Sequence, residues 1–191
     1  TGADFTGANL NGVVLEYPTI LLNSNFYQAD FTGANLQGAD FSGVNLSETN
    51  LSGNAYLRYI NLTGANLTDA NLSGANLGNA ILINANLSGA NLYDVGFNNS
   101  NLSGANLENA NLTDTVFSEA TLTGTNLTGS NYELANGYLV DNFTQEQLDS
   151  AITDGSYQYN ANGPLALEPG ADLTNMDLSG VDLSKIDLTG A

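Results

Sequence analysis

Twenty carboxylates, two cations and no histidine or cysteine restrict the chemistry of this 191-residue chain before any fold is considered. Without imidazole or thiol, catalysis would rest on paired carboxylates or on serine–lysine chemistry. The acids occur singly along the chain, and the only lysine, Lys185, stands among ordinary repeat residues. Neither pattern gathers an acid and a base in one cleft, so the chain reads as no enzyme, with no catalytic residue and no bound cofactor. Thiolate and imidazole metal sites and disulfides are excluded by composition. The most regular carboxylate series is Asp172, Asp177, Asp182 and Asp187, one every five residues. A hard cation needs oxygens that converge, so the value of this series depends on how the backbone winds. Triplets such as Asn61-Leu62-Thr63 match a glycosylation acceptor, but the repeat generates them and they carry no information about glycans.

The formal net charge of -18 repels phosphate backbones and anionic membranes. The expected partner is a protein, with basic character, and not a nucleic acid. No run of ~18 apolar residues is present, so no direct membrane insertion is expected from this segment. No secretory leader is visible, and the chain opens inside a repeat at Thr1-Gly2-Ala3. We expect it to be part of a longer or processed chain.

The elements that position these groups follow from a period of five. From Ala85 the chain runs ANLSG ANLYD VGFNN SNLSG ANLEN ANLTD. A large apolar anchor follows Asn or Asp, a small residue lies two before it, and two turn-forming residues come after. Anchors stand at Phe5, Leu10 and Leu15, then every five from Leu21 to Leu51 and from Leu57 to Tyr132, 26 in all. One-residue insertions fall near Glu16-Tyr17-Pro18-Thr19 and near Asn54, where corner bulges are expected. Four more anchors are Leu173, Leu178, Leu183 and Leu188. A period this short describes a solenoid whose units rest on their neighbours. Gly two after the anchor, as at Gly7, Gly33 and Gly64, marks a turn that needs positive φ. Recurrent Asn before the anchor predicts stacked Asn ladders.

The A-(N/D)-L-x-x pattern resembles the pentapeptide-repeat proteins. The resemblance implies an all-β solenoid, a right-handed quadrilateral β-helix in which four repeats make one square coil. It covers residues 1–133 and 171–191, and its composition is similar to cyanobacterial members. On such a coil the four late aspartates point to four different sides, so no metal site is expected. Residues 134–170 break the pattern and form an insert or cap. There, Thr144-Gln145-Glu146-Gln147 reads as a capping box, Leu148 and Ile152 share a helical face, and Gly155 fits a C-terminal cap. These predict a short helix over about 145–152.

With four repeats per coil, anchors twenty apart share a side. The first side holds Leu15, Leu36, Leu57, Leu77, Phe97 and Phe117, so Phe97 is expected to stack on Phe117 in the core. The second runs from Leu21 to Leu122, the third from Phe5 to Leu127 and the fourth from Leu10 to Tyr132. Outward acids concentrate on the third and fourth sides, at Asp4, Asp30, Glu48, Asp69, Asp94, Glu108, Asp114 and Glu133. Outward apolar residues concentrate on the first and second, at Val14, Ile20, Leu22, Tyr56, Tyr59, Ile81, Ile83 and Val116. Exposed apolar patches mark contact surfaces. The candidate protein-contact surface centres on Tyr56, Tyr59, Ile81 and Ile83; the competing expectation is that residues 134–170 cover it.

The leading expectation is a structural scaffold or protein-interaction module. The alternative is a DNA-mimicking regulator of a DNA-binding enzyme such as gyrase, a role the resemblance allows. Residues 1–133 hold 11 acids and Arg58. About 6.5 coils at ~4.8 Å span about 31 Å, and duplex DNA of that length carries about 18 phosphates. The rod holds little more than half that charge density, which does not favour mimicry.

Overall fold

The computed structural model describes residues 2–16 and 19–130, and the backbone of residues 165–166 and 186–187. Over the first two ranges the backbone climbs as a stack of four-sided coils. Each side touches the next coil through a single parallel bridge, such as Asn45↔Asn66, Asn66↔Asn86 and Asn86↔Asn106. The offset is 20 residues, and 21 where an insertion intervenes, as in Val14↔Asn35 and Asn35↔Tyr56. The four anchor columns therefore fall as the five-residue count places them.

The corners explain why the repeat has five residues. In a regular turn the anchor carbonyl accepts the amide of the residue three later, as Ala34 N to Phe31 O at 2.9 Å and Ala75 N to Leu72 O at 2.9 Å. The second residue after the anchor takes a left-handed φ, which glycine, asparagine and aspartate tolerate best. Gly33, Gly64, Asn79, Asp94 and Asn109 are examples. At the second insertion both Gly53 and Asn54 are left-handed, with φ of 72° and 59°, and the extra residue is absorbed as a corner bend.

The interior is filled by two side chains per repeat. Anchors such as Leu57, Leu67 and Leu92 are buried, and the small residue two before each anchor, such as Ala65 or Ala90, is buried where the wall is crowded. Most serines and threonines in the small slot return the hydroxyl to a carbonyl, as Ser100 Oγ to Phe97 O at 2.6 Å and Thr125 Oγ1 to Leu102 O at 2.8 Å, while the buried Ser24 Oγ has no partner. The bond to the carbonyl removes the cost of a buried unpaired hydroxyl. Phe97 and Phe117 stack at 5.2 Å, as their shared column predicts. A second cluster, not anticipated, joins three sides of the tube: Phe5 stacks on Phe26 at 4.7 Å, and Phe26 meets Phe31 at 5.3 Å and Phe41 at 5.7 Å.

Towards the C-terminus two short strands, β1 (Leu165–Ala166) and β2 (Ile186–Asp187), pair in parallel with Leu165 opposite Ile186. Their offset of 21 residues is one the coils also use. The expected helix over about 145–152, most of the 134–170 insert and the anchors of the 171–191 coil lie outside the described residues.

Candidate functional site

The outward residue before each anchor gives the sides their chemical character. Where it is Asn or Asp, its Oδ1 accepts the amide of the residue two later and closes an Asx turn, as Ser73 N to Asn71 at 3.2 Å. The side-chain amide of an Asn can then donate to the neighbouring coil, whereas an Asp carboxylate accepts, as Asp40 does from Asn61 at 3.1 Å. On the fourth side Asn71 donates to Asn50 at 3.2 Å, Asn91 to Asn71 at 3.1 Å and Asn111 to Asn91 at 3.0 Å. On the third side Asn45 donates to Asn25, Asn66 to Asn45, Asn106 to Asn86 and Asn126 to Asn106, at 2.8–3.2 Å. Two rungs differ: Asn86 donates to Thr68 Oγ1 at 2.9 Å instead of Asn66, and Asn50 to Thr32 Oγ1 at 2.7 Å instead of Asp30.

The first two sides lack continuous ladders because other residues occupy the slot. Val14, Tyr56, Gly96 and Val116 interrupt the first, and Ile20, Ile81 and Thr121 interrupt the second. Val14, Ile20, Tyr56, Tyr59, Ile81 and Val116 are exposed, and Ile83 is half-buried. Tyr59 is a bulky residue in a left-handed turn position, with φ of 60°. Its ring lies 5.2 Å from the Arg58 guanidinium, and the Arg58 side chain passes close above Gly78. Arg58 Nε is buried there with no hydrogen-bond partner.

Of the four residues chosen from sequence, Tyr56 lies on the first side, Tyr59 at the next corner, and Ile81 and Ile83 on and beside the second. Val116, Gly96 and their neighbours form a further feature that the choice missed. An elongated hollow of about 390 Å³ runs along the first side. Tyr56 and Val116 bound its ends, Asn76 and Gly96 form its floor, and Asp94 stands at its acidic edge. The signal was present in the sequence: Gly96 is the one glycine in a slot otherwise held by Asn, Asp or a larger residue.

The acids among the described residues fall as expected, and Glu133 lies outside them. Exposed Glu48, Asp69, Asp94, Glu108 and Asp114 occupy corners of the third and fourth sides. Asp30 is held below its ordinary value of 3.8 by the Thr32 hydroxyl and then by the Thr32 amide. Asp4 is lowered in the same way by Thr6. Tyr27 is raised by its hydrogen bond to Glu48, with the neighbouring carboxylate charge adding to it. No group of acids among the described residues could hold a metal ion. No helix among them is long and apolar enough to cross a membrane.

A stack of four-repeat coils with an Asn, an anchor and a left-handed turn in each unit defines a pentapeptide-repeat solenoid. The family described as pentapeptide repeats (8 copies) matches residues 19–53, 60–99, 96–131 and 169–191, and the chain belongs to it. Among solved structures, QnrB1, described as a plasmid-mediated fluoroquinolone resistance protein, is similar at 22% identity, with a TM-score of 0.55. The match covers 99% of this chain and 76% of that one. At that identity the likeness extends to the fold. The pentapeptide-repeat protein Rfr23 from the cyanobacterium Cyanothece 51142 is 28% identical over 68% of this chain and 91% of that one, with a TM-score of 0.39. HetL, involved in heterocyst differentiation regulation in Nostoc sp. strain PCC 7120, is 26% identical over 69% and 73%, with a TM-score of 0.31. No curated protein matches the chain significantly by sequence.

Proposed function

We propose that the chain is a non-enzymatic, right-handed four-sided scaffold that binds a protein partner through its apolar first and second sides. One observation carries this reading. Asn or Asp fills every described outward slot of two adjacent sides, while exposed Val14, Ile20, Tyr56, Ile81 and Val116 take five of the twelve slots on the other two. Neither the anchor core nor the turn geometry requires apolar residues there, because Asn fills equivalent slots elsewhere. Tyr is also among the residues that anchor protein interfaces most strongly. The block at 171–191, with its insert over 134–170, is part of the proposed scaffold, and the 21-residue offset between β1 and β2 supports continued coiling there.

The test is an affinity pull-down from source-cell lysate with wild type and with Ile81→Lys plus Ile83→Lys. A partner captured by wild type and lost by a variant of unchanged circular dichroism and Tm supports the reading. Capture of the same proteins by both overturns it and moves attention to the acidic sides. Recovery of a DNA-binding enzyme such as gyrase by both would favour mimicry instead.

A further inference from the structure

We infer that the hollow floored by Gly96 is a docking groove for a short extended segment of a partner protein, one that carries an apolar side chain flanked by Lys or Arg. This rests on the apolar-side reading and specifies where and by what chemistry the partner is held. The first argument is that glycine is not needed at position 96 for folding. Its φ is not left-handed, and an added Cβ would meet only Asn98 Nδ2, at an ordinary 3.4 Å. The corresponding slot one coil earlier holds Asn76 and one coil later Val116. A missing side chain that neither backbone nor packing demands leaves a notch open to solvent.

The second argument is shape. The hollow runs from the coil of Tyr56 through those of Asn76 and Gly96 to that of Val116. Three coil spacings are about 14 Å, the length of about four extended residues. A side chain seated over Gly96 would lie between the Tyr56 ring and Val116, both exposed. Residues two apart on an extended segment point to the same face, so the flanking positions also look toward the rod.

The third argument is charge. Asp94 lines the groove, and Asp114 takes the equivalent corner position one coil on, with both exposed. Glu119 stands at the opposite corner of the coil of Val116, also exposed. The one cation among the described residues, Arg58, starts beside Tyr59 and reaches over Gly78, one coil from Gly96 on the edge away from Asp94, where the three exposed carboxylates outnumber it. A cationic segment is therefore attracted to the groove and an acidic one repelled.

The test titrates the isotope-labelled full chain with the capped peptide Lys-Ser-Leu-Ser-Lys and follows amide shifts by NMR. Glu-Ser-Leu-Ser-Glu and Lys-Ser-Ser-Ser-Lys serve as controls. Saturable shifts centred on Gly74, Asp94 and Gly96 are expected with the first peptide alone. Gly96→Asn fills the notch with the residue the fold uses in that slot. It should keep Tm and weaken binding at least about tenfold, the worth of one buried Leu. Asp94→Asn keeps a residue suited to the left-handed corner and should weaken binding several-fold. No saturable binding, equal binding by Gly96→Asn, or equal binding of either control peptide overturns the inference. In the lysate experiment, a partner lost by the Ile81/Ile83 double variant but kept by Gly96→Asn also overturns it, while the wider apolar-side reading stands. A partner kept by the double variant overturns that wider reading instead.

Discussion

Tyr59 shows how a single residue can depart from the rule its neighbours obey. The same corner one and two coils later holds Asn79 and Asn99, which suit a left-handed φ. A non-glycine residue with a bulky side chain in that region costs of order 1–3 kcal/mol. Tyr59→Asn should therefore raise stability by about 0.5–1 kcal/mol, allowing for the lost contact with Arg58, as read by thermal or urea unfolding. A fall in Tm would show that the Arg58–Tyr59 packing outweighs the strain. Asp30 makes a prediction about acid. Its folded value is lowered, so its contribution is complete above the ordinary 3.8 and disappears as pH falls through the folded value. Its network is Asn50 Nδ2 to Thr32 Oγ1 at 2.7 Å and Thr32 Oγ1 to Asp30 Oδ1 at 2.5 Å. Asp30→Asn should be less stable than wild type at neutral pH, and the gap should close below the folded value. A gap unchanged across that range would refute the assignment.

At the scale of one element, the Asn slot carries two different workloads. Asn91 closes its own corner to Tyr93 N, donates to Asn71 and accepts from Asn111. Asn76, on the interrupted first side, closes the corner to Gly78 N but has Tyr56 and Gly96 as its slot neighbours. Removing a side chain that satisfies several partly buried groups costs more than removing one corner bond. Asn91→Ala should destabilise by about 1–3 kcal/mol, and Asn76→Ala by under about 1 kcal/mol. Chemical unfolding of the two variants side by side checks this. Equal losses would mean that the ladder adds nothing to the Asx turn.

Across residues 2–16 and 19–130 the molecule behaves as a one-dimensional stack, because each coil touches the coils before and after it. Deleting residues 66–85 removes one complete coil and should leave cooperative unfolding and the order of the sides intact. Deleting residues 66–75 removes half a coil. The fold should survive, since anchors still recur every five, but every later side turns to the opposite face of the rod. The acidic corners would then continue beneath the apolar sides. Circular dichroism should be native-like for both deletions, and capture of a partner should be lost in both: the first removes Ile81 and Ile83, and the second turns the later sides away. A half-coil deletion that unfolds the protein would show that side-specific contacts hold the stack together.

Counting determined the period and the inward residues, and with the four repeats per coil that the family resemblance implies it also placed the four columns and the segregation of acids from apolar groups. It could do so because a solenoid maps distance along the chain onto position in space, with no long-range topology to guess. Even the insertions announced themselves, since one extra residue shifts every later anchor by one. The tertiary structure decided what depends on several coils at once. The Phe5, Phe26, Phe31 and Phe41 cluster crosses the tube between columns that counting keeps apart. Asn86 donates to the Thr68 hydroxyl of the preceding coil and not to Asn66, although Asn fills both ladder slots. In the sequence Gly96 is a single glycine in a slot that Asn most often fills. It became a groove only where Tyr56, Asn76, Asp94 and Val116, drawn from four successive coils, enclosed the space its side chain leaves open.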